Sequence, residues 1–453
     1  MIIRTTELKP LEEEYAKEGN RCVLFYGEDT SQREQLLRYF IQDKKAFYYR
    51  ARPASAKQQL AMMGEQIADQ YEVGLQKYTY DEYFNRVKSG NPTKLVVIID
   101  EFQYIAKNDE SFMKSIIKLK AKRLYPGPVL IVLASSACKW IENDSEEFLS
   151  EYTKKIDCRV RLRDMNFLEL VRALPEYSVS ESVQTYGVIG GTDAYVNLWN
   201  AKKDVRYNIC RLVLSQNGAL FHEAQRVIGR DLRELSVYNT ILCSMAGGNR
   251  KLNDLFHDTG YSRAKISVYL KNLMAYDIVE KVRVFETGGW DNAQKGLYQI
   301  KNTFINFWFK FVYPHMSSLY TMTPDEFYTK YIEPDFDAYL NRYFVAVCRE
   351  YLQLMNQYER LPIKAVKMGT WIGKKGNIDI VVQNAQRENL VAICNWSEEK
   401  LTDEMCRELL VSMKQAKIKA EKYYLFSAKE FDEAVTKRAE EHPEFVLVDM
   451  KEL

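Results

Sequence analysis

Short apolar runs alternate with amphipathic stretches along the first third of the chain. The central run, Leu95–Ile99, has five consecutive apolar residues, four of them β-branched, as expected of a strand buried on both faces. Similar runs occupy residues 21–26 and 128–134, and a shorter one lies at residues 45–50. Apolar residues at helical spacing fill residues 35–41, 55–71, 80–89 and 111–123. This alternation predicts right-handed βαβ units and a parallel sheet in an α/β fold.

Two carboxylates and two hydroxyls follow the predicted strands, at the sheet edge where ligands bind in this fold class. Asp100 and Glu101 come directly after the central run. In nucleotide hydrolases the first carboxylate anchors Mg²⁺ and the second polarises the attacking water. A buried strand followed by a polar turn is the alternative interpretation. Ser135 and Ser136 end the run that begins at residue 128, and Ser135 suits either a γ-phosphate sensor or a helix N-cap.

The segment after the first predicted strand follows a phosphate-binding loop only in part. Such loops read G-x-x-x-x-G-K-[ST], and Gly27 occupies the first position. Gln32 replaces the second glycine, Arg33 the lysine, and Glu34 the magnesium-binding hydroxyl. Arg33 could still meet a phosphate, because guanidinium binds it well. Gln32 blocks the close approach that glycine allows, and the acidic residues at 28, 29 and 34 repel phosphate.

The order of these motifs resembles the archaeal-type P-loop ATPases, relatives of the AAA and STAND ATPases, and the resemblance covers nearly the whole chain. It extends to an Arg-x-Arg-Leu strand at residues 158–163 and a Gly-Gly turn at residues 190–191. Members occur in archaea and bacteria and commonly carry a winged helix and a domain similar to restriction endonucleases. The resemblance implies ATP and Mg²⁺ as cofactors, held by Asp100, Glu101 and the Gly27 loop. The departures at Gln32, Arg33 and Glu34 predict weakened or lost hydrolysis.

Residues 235–303 have the order of elements of a winged helix: a helix, a helix-turn-helix and a hairpin. The predicted third helix, residues 263–274, is capped by Ser262 and has one apolar face. Its other face carries Arg263, Lys265 and Lys271, and no acidic residue lies between Tyr261 and Ala275. These residue types suit contacts to the phosphates and bases of double-stranded DNA. A solvated face on a spacer that binds only protein is the alternative.

The C-terminal part retains one residue of a nuclease-like motif. Restriction-like nucleases carry Asp on one strand and Glu-x-Lys on the next, for Mg²⁺ and for the attacking water. Asp379 fits the first position, and Glu350, on a predicted helix, could approach it. Ile393 and Asn395 occupy the Glu and Lys positions, so the sequence predicts a nuclease-like fold without cleavage. The aromatic stretch 304–314 is expected to be a packed connector.

Composition argues against several classes of protein and of site but does not indicate an activity. The net charge is +2, so nucleic acid would have to bind a local patch. The eight cysteines form no C-x-x-C pair, which argues against a zinc site or a disulfide framework. Neither a signal peptide nor an apolar run long enough to cross a bilayer is present, so we expect a cytoplasmic protein without membrane contact. Thirty-one tyrosines suit a bacterial coding bias.

Four regions are expected: a P-loop ATPase-like core at 1–165, a helical lid at 166–234, the winged helix at 235–303, and the connector with the restriction-endonuclease-like domain at 304–453. Three functions fit this organisation. The first is a degenerate ATPase-family scaffold associated with DNA or protein, with ATP binding left open. The second is a slow ATPase switch that couples ATP to DNA or partner binding. The third is a pure protein-interaction module. The sequence leaves the protein partner and the oligomeric state open.

Overall fold

The computed structural model describes residues 5–452 except 28–29, 73–78, 89–92, 122–126, 139, 145–151, 153, 283, 286–295 and 374–375. Two of the predicted loop residues, Glu28 and Asp29, and the tip of the winged-helix hairpin therefore lie outside the described residues. The chain divides into two compact units, Met1–Asp164 and Met165–Leu453. Each unit is described by itself.

The first unit alternates helices and strands, as predicted. Its helices are α1 (Thr5–Ala16), α2 (Thr30–Phe40), α3 (Ala56–Tyr71), α4 (Tyr80–Lys88), α5 (Gln103–Ala106) and α6 (Glu110–Ala121). Its strands are β1 (Arg21–Tyr26), β2 (Ala46–Arg50), β3 (Leu95–Asp100), β4 (Val129–Ser135) and β5 (Cys158–Arg161). A π-helical turn spans Trp140–Asp144.

The five strands form one parallel sheet in the order β2-β3-β4-β1-β5. Helices cover both faces, so successive residues of β3 enter different cores. Leu95, Val97 and Ile99 pack on the side of α3, α4 and α6, and Val96 and Ile98 on the side of α1 and α2. The predicted parallel sheet and its strand at residues 158–161 on one edge are confirmed.

Short helices open the second unit. They are α7 (Phe167–Ala173), α8 (Val179–Ile189), α9 (Asp193–Val196), α10 (Val205–Ile209) and α11 (Glu223–Asp231), with a π-helical turn at Cys210–Leu214. Gly190 ends α8 with a positive φ of 61°. A Cβ on Gly191 would lie 1.9 Å from the carbonyl oxygen of Met165, so this turn admits no larger residue.

The winged-helix order of elements follows. Its helices are α12 (Leu235–Ala246), α13 (Leu252–Thr259) and α14 (Arg263–Ala275), and its strands are β6 (Val279–Lys281) and β7 (Tyr298–Ile300). Ser262 caps α14 by accepting a hydrogen bond from the N–H of Lys265, as predicted. β6 and β7 pair antiparallel, and Lys251 bridges to Leu297 as a third strand would.

Aromatic packing then leads to a long helix. The elements are α15 (Thr303–Phe307), a π-helical turn (Trp308–Val312), a 3₁₀ turn (Tyr313–His315), α16 (Met316–Leu319), α17 (Pro324–Tyr331) and α18 (Glu333–Gln357). Phe304, Phe307 and Trp308 are at most 1% exposed. The aromatic stretch is therefore a packed connector, as predicted.

A mixed sheet forms the last part of the chain. Its strands are β8 (Lys367–Ile372), β9 (Asn377–Gln383), β10 (Asn389–Asn395), β12 (Lys422–Ser427) and β14 (Phe445–Asp449), in the order β14-β12-β10-β9-β8. β8, β9 and β10 pair antiparallel, and β10, β12 and β14 parallel. The remaining elements are β11 (Lys400–Leu401), α19 (Asp403–Ala416), β13 (Glu430–Phe431), α20 (Glu433–Glu441) and a 3₁₀ turn at Met450–Glu452.

The hairpin of the winged helix is joined to this mixed sheet. Val284, which follows β6, bridges to Thr370 of β8, and the N–H of Phe285 donates to the Thr370 carbonyl at 2.8 Å. The Phe285 ring is 1% exposed and packs among residues of β9, β10 and α19. The winged helix therefore contributes a core residue to the C-terminal sheet, an arrangement that the sequence did not indicate.

Candidate functional site

The candidate site lies where β1, β3 and β4 end. Parallel pairing brings the carboxyl ends of these strands to the same edge of the sheet. Gly27 follows β1, and its N–H donates to the Ser135 carbonyl at 3.1 Å. A Cβ on Gly27 would lie 2.6 Å from the Cβ of Leu162, so the close approach of residue 162 requires glycine here.

Arg33 occupies the centre of the site. It is completely buried, and its three guanidinium nitrogens all donate hydrogen bonds. Nε contacts Asp100 Oδ1 at 3.0 Å, one terminal nitrogen contacts Glu101 Oε1 at 2.5 Å, and the other contacts the Gly27 carbonyl at 2.8 Å. Burial alone would lower the pKa of Arg33, but the two carboxylates outweigh this effect and raise it. The guanidinium is therefore a buried, fully bonded cation.

Asp100 is also fully buried, and both of its oxygens accept hydrogen bonds. Oδ1 accepts from Arg33 and from the N–H of Glu101 at 3.0 Å. Oδ2 accepts from the Tyr48 hydroxyl at 3.0 Å and lies 3.7 Å from Arg50 Nε. Burial and the Asp100 charge raise the pKa of Tyr48 well above its ordinary value, so this hydroxyl stays a donor. The carboxylate is thus enclosed by protein donors.

Glu101 is held in a strained backbone conformation, with φ at 55°. Its Oε2 accepts from the Gln103 amide at 2.6 Å and from the Ser136 N–H and hydroxyl at 3.1 and 2.8 Å. Burial opposes ionisation of Glu101, but Arg33 and these hydrogen bonds lower its pKa. The Ser135 hydroxyl is buried and donates to Gln103 at 2.8 Å. Both serines therefore belong to one network around Glu101.

The carboxylate oxygens that would bind Mg²⁺ at this edge of the sheet are bonded to protein donors. A magnesium ion needs oxygen ligands, and each oxygen of Asp100 and Glu101 already accepts a protein hydrogen bond. The cation that these carboxylates hold is the guanidinium of Arg33, which replaces the lysine of a phosphate-binding loop. Gln32, at the second glycine position, is buried. The site is built as an internal ion-pair network.

The predicted DNA-binding residues lie on the accessible side of α14. Arg263 donates to Asn253, and its guanidinium lies 4.0 Å from the centre of the Phe256 ring. Lys265 Nζ lies 4.7 Å from the Tyr261 ring centre and 5.7 Å from that of Tyr269.

Lys271, the third of these cations, is exposed on the same helix. The buried side of α14 consists of Ile266, Leu270 and Leu273. Arg263 and Lys271 are exposed and Lys265 is partly exposed, so none of the three cations belongs to the buried side of the helix.

The two residues of the nuclease-like motif have different contacts. Asp379 is on β9, its Oδ2 accepts from the N–H of Cys394 at 2.9 Å, and burial raises its pKa to about 6. The carboxylate of Glu350 instead accepts from the N–H groups of Phe167 and Leu168 at 3.0 and 3.1 Å, at the start of α7. Glu350 therefore caps a helix.

At the lysine position of the motif, Asn395 bonds to the backbone of Glu398 in a local turn. Ile393, at the glutamate position, packs partly buried between two apolar clusters. Neither side chain contributes a charged group to a metal site. Among the described residues, no group of three or more His, Cys, Asp or Glu could hold a metal ion.

Sequence reasoning missed Tyr48, Gln103 and Phe285. Tyr48 and Gln103 bond to the carboxylates, but a tyrosine on a strand and a glutamine after one carry no motif. The only available signal was chemical: an arginine in place of the loop lysine can pair with the two carboxylates after β3.

No described helix is long and apolar enough to span a bilayer.

The five-stranded parallel sheet, with Gly27 after β1 and an Asp-Glu pair at the end of β3, has the architecture of the P-loop ATPase fold. Residues 308–409 match the family DUF234, described as archaeal and bacterial proteins of unknown function. The chain is 24% identical over 438 residues to an uncharacterized protein of Methanocaldococcus jannaschii, covering 95% of this chain and 96% of that protein.

Two solved structures are similar at lower identity. A Walker-type ATPase of Pyrococcus abyssi is 12% identical, with a TM-score of 0.45, over 68% of this chain and 96% of its own. The ORC2 protein of Aeropyrum pernix, in ADPNP and ADP complexes, is 12% identical, with a TM-score of 0.44, over 71% of this chain and 94% of its own.

Proposed function

We propose that this ATPase-family protein is a scaffold whose core neither hydrolyses ATP nor depends on it. Arg33 carries the proposal, because its buried guanidinium holds both carboxylates that would otherwise serve Mg²⁺ and the attacking water. A nucleotide would have to displace an arginine with three hydrogen bonds and leave two carboxylates next to its own phosphates. The core is thus stabilised in one conformation by its own residues.

The scaffold contacts double-stranded DNA through α14. Arg263, Lys265 and Lys271 lie outside its buried side, and aromatic rings hold the first two in position. Such cations neutralise backbone phosphates, so the binding is salt-sensitive. The nuclease-like part of the chain contributes structure without cleavage, because Glu350 caps α7 and Asn395 closes a turn.

A binding and turnover assay on the full chain tests the core of this proposal. We expect no saturable heat of ATP binding with millimolar Mg²⁺, and phosphate release equal to that of the Glu101→Gln variant. The matched variant isolates turnover by this site from contaminating ATPases, because Glu101 is the residue that would polarise water. Turnover that disappears in Glu101→Gln would instead establish the slow ATPase switch.

A further inference from the structure

The solvent-facing side of α14 carries an apolar strip that the packing of the winged helix leaves uncovered. Val268 is 57% exposed, and Ala264, one turn earlier, is exposed as well. Residues four positions apart are neighbours on a helix surface, so these two side chains form one continuous patch. Valine is a weaker helix former than most polar residues, so stability of the isolated helix does not explain its presence there.

Positive charge borders this strip on both sides. At the helical spacing of 3.6 residues per turn, Lys265 lies three positions before Val268 on one side, and Lys271 lies three positions after it on the other. The Tyr261 and Tyr269 rings hold Lys265 in place, and α14 itself contains no acidic residue. The ligand that complements this surface is therefore negative along two borders and apolar between them.

Duplex DNA has this arrangement in its major groove. Two phosphate backbones border the groove, and the only methyl group on its floor is the C5-methyl of thymine. We propose that Val268 and Ala264 contact thymine methyl groups, so that the chain prefers duplexes with thymine at the contacted positions. This specificity rests on the proposed DNA contact of α14. A partner protein that bound the strip through an apolar surface would not require cations on both borders of it.

The test isolates the methyl group. Duplexes enriched by the full chain from a random-sequence pool are resynthesised with deoxyuridine in place of thymine, which removes only the C5-methyl. We expect thymine to be enriched at one or two positions, and each deoxyuridine there to weaken binding about fourfold, the factor that corresponds to about 0.8 kcal/mol for one buried carbon. Val268→Ser should remove the preference for thymine at the position that Val268 contacts.

A second valine provides a matched control. Val411 on α19 is also 57% exposed, so Val411→Ser makes the same chemical change outside α14, and the preference for thymine should persist. Equal binding of thymine and deoxyuridine duplexes by the wild-type chain would overturn the thymine contact and leave the DNA contact standing. A preference that survives at every enriched position in Val268→Ser would overturn the contact proposed for Val268. Failure to bind any duplex at low salt would overturn the proposed DNA contact itself, and the thymine contact with it.

Discussion

Replacement of Arg33 by alanine should destabilise the first unit strongly. The change removes three hydrogen bonds and leaves Asp100 and Glu101 buried with like charges. Removing one partner of a buried ion pair typically costs about 3–5 kcal/mol. Remaining donors soften the loss, since Tyr48 still bonds to Asp100, and Gln103 still bonds to Glu101. We therefore expect a decrease of about 3–4 kcal/mol in the free energy of unfolding at neutral pH.

The free energy of unfolding should depend on pH in opposite directions in the wild-type chain and in Arg33→Ala. In the wild-type chain the pKa of Glu101 is lowered, so its contribution to stability is present above the ordinary value of 4.5 and is lost as the pH falls. Burial is the largest influence on the pKa of Glu101, so we expect this pKa to rise when Arg33 is removed. The stability of Arg33→Ala should then decrease as the pH rises through that raised pKa, because the unfolded chain ionises more readily.

Urea unfolding followed by pulsed hydrogen exchange measures this in the full chain, because peptides from β1, β3 and β4 report on the first unit separately. Arg38→Ala on the same helix is the matched control. Arg38 is 63% exposed at its side chain and pairs with Glu34, so its loss should cost at most about 1 kcal/mol. A decrease for Arg33→Ala that does not exceed the decrease for Arg38→Ala would refute the assignment of Arg33 as the central cation.

Three further outcomes are expected. Replacing Arg263, Lys265 and Lys271 together with alanine should abolish duplex binding in a mobility-shift assay, and an unchanged shift would exclude α14 as the contact surface. Supercoiled plasmid should stay intact with wild type and with Asp379→Ala at millimolar Mn²⁺, and nicking by wild type alone would reveal an active metal site. Asp379→Asn should stabilise the chain at pH 8 by up to about 3 kcal/mol. In the folded wild-type chain the pKa of Asp379 is raised from 3.8 to about 6, so the carboxyl group is more easily ionised in the unfolded chain. The wild-type chain therefore loses stability as the pH rises from 3.8 to about 6, and the asparagine variant avoids this loss. Equal urea stability of wild type and this variant at pH 8 would contradict the burial of a charged Asp379.

Local patterns predicted the elements of this fold well. The apolar runs gave β1, β3 and β4, because strands buried on both faces need continuous apolar sequence. Ser262 marked the start of α14, since N-capping depends on neighbouring residues alone. The bounds of such elements follow from interactions between residues that are close in sequence.

Pairings over long sequence distances were not predictable in the same way. Arg33 lies 67 positions before Asp100. Glu350 lies 183 positions after Phe167, whose N–H donates to its carboxylate. Arg33 and Glu350 had been expected at a phosphate and at a metal, and the structure places them on protein partners. An arginine suits a phosphate and a carboxylate equally, so residue type alone does not choose between them. Only the folded arrangement of β1, β3 and α2 brings the two carboxylates to the guanidinium.

The position of Phe285 limits how this chain could be cut or recombined. A fragment that ends at residue 303 would retain the helices of the winged helix but would expose the Phe285 ring to water. A fragment that starts at residue 304 would have a gap among β9, β10 and α19, where the ring now packs. A winged helix transplanted from a relative would have to bring a side chain of matching size to that gap. We therefore expect the two parts to fold well only when one fragment contains both.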